Sequence, residues 1–99
     1  MTKEEFSRLA ARGPVLLDGA TGSSLRAAGM PVGVSPELWV LEHREVLLQL
    51  QRGYVEAGSR VIMAPTFSAN RPGLRHFGLE DRLKELNAAL AALSKEAAG

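Results

Sequence analysis

The sequence predicts an α/β chain. Two short apolar runs, "VLL" at 15–17 and "VIMA" at 61–64, show no alternation with polar residues, the pattern of strands covered on both faces. Between them lies a helical stretch long enough to form a parallel, right-handed crossover. Each run also gives way to a polar loop, "DGATGS" after the first and "PTFSAN" after the second. The expected order is helix, strand, helix, strand, helix.

The first helix starts from a capping box, Thr2 with Glu5 three residues on, and places Phe6, Leu9 and Ala10 on one face. Gly13 is placed to end it and Pro14 prevents its continuation. After the glycine loop, Leu25 and Ala28 fit a short helical turn, and "GMPVGV" at 29–34 reads as irregular. At "SPEL", Ser35 is the expected N-cap, Pro36 the first helical residue, and Glu37 a favourable charge at the positive end of the dipole. That helix is expected to run to Ala57 with a break near His43, its apolar side carrying Leu47, Leu50, Tyr54 and Ala57. Gly58 is its natural stop. Gly53, inside it, costs about 1 kcal/mol relative to alanine, which implies close backbone packing at that point. Pro65 closes the second run, and 66–78 reads as a loop with Pro72-Gly73 as its clearest breaker. A last helix from Leu79 or Glu80 presents Leu79, Leu83, Leu86, Leu90 and Leu93 as its core stripe.

Two parallel strands alone leave both outer edges unpaired, so the pattern reads as the beginning of a larger α/β structure. A different reading remains open: a non-catalytic βα-repeat module that self-associates through its open sheet edges.

Ninety-nine residues make about one small domain, and 45% apolar with 23% charged residues is an ordinary globular balance. The net charge is +1 and the charges alternate in sign, so no basic block exists to neutralise a run of phosphates, and no nucleic-acid partner is expected. The charged start "MTKEEFSRLAARG" lacks the apolar core of a signal peptide. No apolar run approaches the roughly 20 residues that cross a bilayer. A cytoplasmic protein without a membrane partner is expected. Cysteine is absent, which removes disulfides, thiolate catalysis and cysteine-ligated metal from this chain.

Ligands of α/β folds bind beyond the carboxyl ends of the strands, where this chain has its two polar loops. Asp18 can face a ligand amine or orient loop amides, and Gly19 and Gly22 let backbone N–H groups approach an anionic group. Equally, Asp18 can simply cap a turn and Gly22 satisfy a dihedral angle. "GATGSS" has neither the spacing nor the lysine of a phosphate loop, and it lacks the third glycine of a dinucleotide fingerprint. His43 and His76 have no carboxylate or cysteine arrangement that would make them metal ligands. Trp39 and Tyr54 read as packing residues, Phe67 as an aromatic able to wall a pocket, and Glu80, Asp81, Arg82, Lys84 and Glu85 as a solvated helix face.

Taken together, "LLDGATGSSLRAAG", "SPELWVLEHREVLLQLQRGYVEAGSRVI", "PTFSAN" and "HFGLEDRLKELNAAL" resemble, in order and spacing, the homocysteine S-methyltransferase family. Within it they are most similar to the homocysteine-binding part of the cobalamin-dependent methionine synthases. The resemblance implies the N-terminal part of a TIM (β/α)8 barrel: about two βα units plus an N-terminal helix, residues 1–99 being a partial homocysteine-binding domain without the later strands. It implies methyl transfer to a zinc-bound homocysteine thiolate to form methionine, with the zinc on three cysteines that lie outside this sequence. Cobalamin and methyltetrahydrofolate would act through other domains, and betaine or a methylated sulfonium are alternative donors. Carried onto this chain, the resemblance makes Asp18, Gly19, Ala20 and Thr21 the residues around the amino-acid end of homocysteine, with Thr66, Phe67 and Asn70 beside the pocket. It assigns no catalytic and no metal-binding residue here. The chain departs from the family pattern at Ala64-Pro65, where Thr-Asn is common, at Arg44, where proline is frequent, and at Ser68, where glycine is frequent. The partners implied are homocysteine and the remainder of the barrel or further domains. A piece without the zinc ligands is expected to be inactive alone.

Overall fold

The computed structural model describes residues 1–99. Its regular structure is helical: α1 (Lys3–Ala11), α2 (Gly22–Ala27), α3 (Pro36–Glu42), α4 (Arg44–Ala57), α5 (Arg71–Arg75), a 3-10 turn (Glu80–Arg82) and α6 (Leu83–Ala98).

The local signals place these helices. Thr2 Oγ1 accepts from the Glu5 N–H at 3.1 Å and starts α1. Ser35 Oγ accepts from the Leu38 N–H at 3.3 Å and starts α3. The break falls at His43, whose backbone (φ −130°, ψ 53°) leaves the helical region between α3 and α4. There the Trp39 and His43 rings stack with centroids 4.1 Å apart, and His43 Nδ1 lies 2.9 Å from the Trp39 carbonyl oxygen. Gly58 ends α4 at φ 116°, a left-handed conformation that side chains disfavour.

The core forms where α4 packs on α6, with α3 beside them. Leu47 and Leu48 of α4, Leu90, Leu93 and Ala97 of α6, and Val40 of α3 are buried together with Leu25, Met30 and Ala69. Each such leucine contributes about 1.5–3 kcal/mol by leaving water. Arg44 of α4 and Glu96 of α6 pair across the same contact at 3.0 Å, both exposed, which adds little.

The expected α/β fold is not formed. No sheet is present, and the β pairing consists of one parallel bridge, Leu17 to Val61. Neither two βα units nor a portion of a (β/α)8 barrel is therefore described by this structure. The reason is the lack of neighbours. A parallel ladder needs pairing at its edges and cover on both faces, and here each apolar run has only the other. Leu16, Leu17 and Met63 stay 59%, 50% and 60% exposed. The Leu16 carbonyl accepts from the Arg60 N–H at 2.8 Å, Ser59 Oγ donates to the Leu17 carbonyl at 2.9 Å, and the ladder goes no further. The unburied surface shows in the dimensions. A compact protein of this mass would expose about 5,500 Å², whereas the chain exposes 6643 Å². Its radius of gyration is 14.4 Å, against about 13 Å for a compact chain of this length.

Two smaller expectations also change. Residues 66–78 are not all loop, because Asn70 caps α5: its Oδ1 accepts from the Gly73 N–H at 2.9 Å, and Pro72 sits in the first turn, where proline is tolerated. Gly53 is not closely packed, since a Cβ built there meets nothing within 4 Å. No helix is long and apolar enough to cross a membrane.

At the α5–α6 corner, Glu80 takes a two-point contact from Arg75, at 2.9 and 3.0 Å, with Arg71 at 3.8 Å. The Arg75 hydrogen bonds hold the Glu80 carboxyl below its ordinary range. Its contribution to stability is thus present above the unfolded value of about 4.3 and is lost as pH falls through the lower folded value. Titration followed by NMR should show the Glu80 carboxyl protonating below the ordinary glutamate range, and Arg75→Gln should move it back up towards that range. Gly53→Ala should raise stability by about 0.4–1 kcal/mol in urea denaturation, since an open helical site gains from a less flexible unfolded chain.

Candidate functional site

The two polar loops meet. Between them and α3 lies a cleft of about 520 Å³, within the span of about 300–1,000 Å³ usual for small-molecule sites. One wall is Asp18, Gly19, Thr21 and Gly22; the facing wall is Met63 to Ser68; Pro36, Glu37 and Val40 of α3, with Leu25 of α2, close the rest. Two carboxyl groups and no basic side chain line it, so the cleft suits a ligand carrying a positive group. Phe67, 97% exposed, stands on its border.

Side chains hold the walls where a ladder does not. Asp18 Oδ2 accepts from the Met63 N–H at 3.2 Å, joining the first wall to the second. From the opposite side, Gln51 of α4, buried, donates from Nε2 to the Met63 carbonyl at 2.9 Å. The Tyr54 hydroxyl of α4 donates to the Ala20 carbonyl at 2.8 Å and pins the first loop to the same helix. Gly19 is needed for that contact, because a Cβ there would sit 2.8 Å from the Tyr54 ring and hydroxyl. Behind the second wall, Glu37 Oε1 accepts from the Ser68 N–H at 3.0 Å, and Asn87 of α6 donates to the Ala69 carbonyl at 2.8 Å.

Of the residues anticipated from sequence, Asp18, Gly19, Thr21, Thr66 and Phe67 line this cleft. Ala20 does not line it; its carbonyl is occupied by Tyr54 and by Ser24 Oγ. Asn70 also lies off the lining, its amide engaged as the cap of α5 and with the Phe67 carbonyl at 3.3 Å. Three residues that shape the site are not evident from sequence. Tyr54 has the spacing of a packing residue, Gln51 carries no signal, and Glu37 has a sufficient local reason in the helix dipole. The polar tip of Tyr54 on an otherwise apolar stripe is the one available hint.

A family model described as homocysteine S-methyltransferase matches residues 15–99. The chain belongs to that family. A comparison with curated proteins gave no match. The family's reaction is methyl transfer to homocysteine, and the family is in general zinc-dependent. The side chains of this chain do not fit a zinc site: cysteine is absent, and no three His, Asp or Glu residues converge. Metal chemistry is accordingly not assigned to any residue here.

Gly19→Ala should destabilise the chain by about 1–3 kcal/mol through the clash with Tyr54. In a double-mutant cycle with Tyr54→Ala the two changes should be strongly non-additive, because removing the ring makes room for the new methyl group.

Proposed function

We propose that this homocysteine S-methyltransferase family member supplies the cleft that binds and orients the amino-acid end of homocysteine. The single observation that supports the reading most is the convergence of the "DGATGS" and "PTFSAN" loops, far apart in sequence, on one cleft. Asp18 is the acidic group for the substrate ammonium. The backbone around Gly19 and Gly22 and the hydroxyls of Thr21 and Thr66 are the groups for its carboxylate. Phe67 covers the hydrocarbon part.

The sulfur poses a separate requirement. A thiol of pKa near 8.5 is mostly protonated at neutral pH and needs a metal or base to become a nucleophile. No lining residue is suited to activating it: the hydroxyls are weak bases, both Glu37 oxygens accept from Ser35 and the Ser68 N–H, and Asp18 in this reading holds the substrate ammonium. Residues 1–99 therefore act as one part of a homocysteine-binding domain, and the groups that activate sulfur and present the methyl donor come from protein outside them. Calorimetry should show L-homocysteine binding to the 99-residue chain, while incubation with a methyl donor yields no methionine. Absence of binding would remove the substrate assignment, and turnover by the chain alone would remove the division of labour.

A second reading draws on Leu16, Leu17 and Met63, whose exposure leaves an apolar surface beside the cleft. In it the chain is a non-catalytic module that self-associates through these segments. A defined oligomer by light scattering, together with indifference to homocysteine, would favour this reading over the first.

A further inference from the structure

Glu37 is the most buried acidic side chain of the cleft wall, 3% exposed. An acid serving only the helix dipole works from the surface, whereas burial penalises a carboxyl group unless its oxygens are hydrogen-bonded. No basic side chain pairs with Glu37, the ion pairs lying elsewhere in the chain. Its two oxygens are instead used in different ways. Oε2 accepts locally, from Ser35 Oγ at 3.3 Å, and Ser35 is itself oriented by the Leu38 N–H as cap of α3. Oε1 accepts from the Ser68 N–H at 3.0 Å, a contact that reaches across the molecule to the second loop.

The Ser68 peptide is restrained on its other side as well. Its carbonyl lies against Gly73 of α5, where any Cβ would collide with it. With its N–H held by Glu37 and its carbonyl seated against α5, Ser68 is restrained in both of the peptide groups that flank it. Thr66 and Phe67, on the cleft, precede it directly.

We propose that Glu37 is a positioning residue: through the Ser68 amide it sets the second loop at the spacing from Asp18 and Gly19 that the ligand requires. This rests on the homocysteine reading above. Ser35, Glu37 and Ser68 form a relay from the start of α3 to the loop, so the orientation of one helix decides the width of the cleft.

The test uses the 15N-labelled full chain and its Glu37→Ala and Glu37→Gln variants, with amide hydrogen exchange and titration of L-homocysteine as readouts. In Glu37→Ala, Ser68 exchange should accelerate at least about tenfold while the α4 and α6 amides stay as in the parent, and the homocysteine Kd should rise about tenfold. Glu37→Gln keeps an acceptor oxygen, so it should retain Ser68 protection and most of the affinity. Unchanged Ser68 exchange in Glu37→Ala would overturn the proposal. So would freed Ser68 with an unchanged Kd, or equal loss of protection throughout α4 and α6 in both variants. Failure of the parent chain to bind homocysteine would instead defeat the substrate reading, and Ser68 exchange would then decide the positioning role by itself.

Discussion

The peptide of Met63 has its hydrogen bonds made by side chains. Asp18 takes its N–H and Gln51 fills its carbonyl, so a segment with the composition of an inner strand ends its pairing without a strand beside it. Everything around the cleft follows from that substitution. A backbone N–H and C=O both take partners, and each hydrogen bond made within the protein instead of to water contributes about 0.5–1.5 kcal/mol net. The chain meets the requirement by sending one side chain from the first loop and one from α4 to the same residue. The two loops and the helix thereby become a unit, and Tyr54, one turn along α4 from Gln51, fastens the first loop at a second point.

The helices depend on a different force. Leu47 and Leu48 meet Leu90, Leu93 and Ala97 in a continuous buried cluster, and α4 against α6 is the most extensive helix contact of the chain. Hydrophobic burial thus organises the packing of the helices, and directional polar contacts organise the two loops. The cleft draws on both: Leu25 and Val40 of the core close part of it, and a few hydrogen bonds set its loop walls.

This division explains what is legible in the sequence. Capping by Thr2 and Ser35, the stop at Gly58, the break at His43 and the leucine stripe of α6 are local signals, each decided by residues within a turn or two. The apolar runs at 15–17 and 61–64 are equally clear as segments that favour burial. Composition does not say whether a strand finds neighbours, and these two find only one bridge. Pro72-Gly73 carries the signature of a breaker, and the cap that Asn70 supplies just before it turns the same residues into the start of α5. At the site, the loops are legible because polar residues follow apolar runs there. Glu37, Gln51 and Tyr54 are not, because their use depends on which distant backbone group folding brings to them.

The stacked rings of Trp39 and His43 occupy the joint between α3, which carries Glu37, and α4, which carries Gln51 and Tyr54. Trp39 is the sole indole in the chain. A change in the angle between the two helices would alter the contact of the imidazole with that single indole. The joint thus carries its own optical gauge, readable in indole emission without attaching a label.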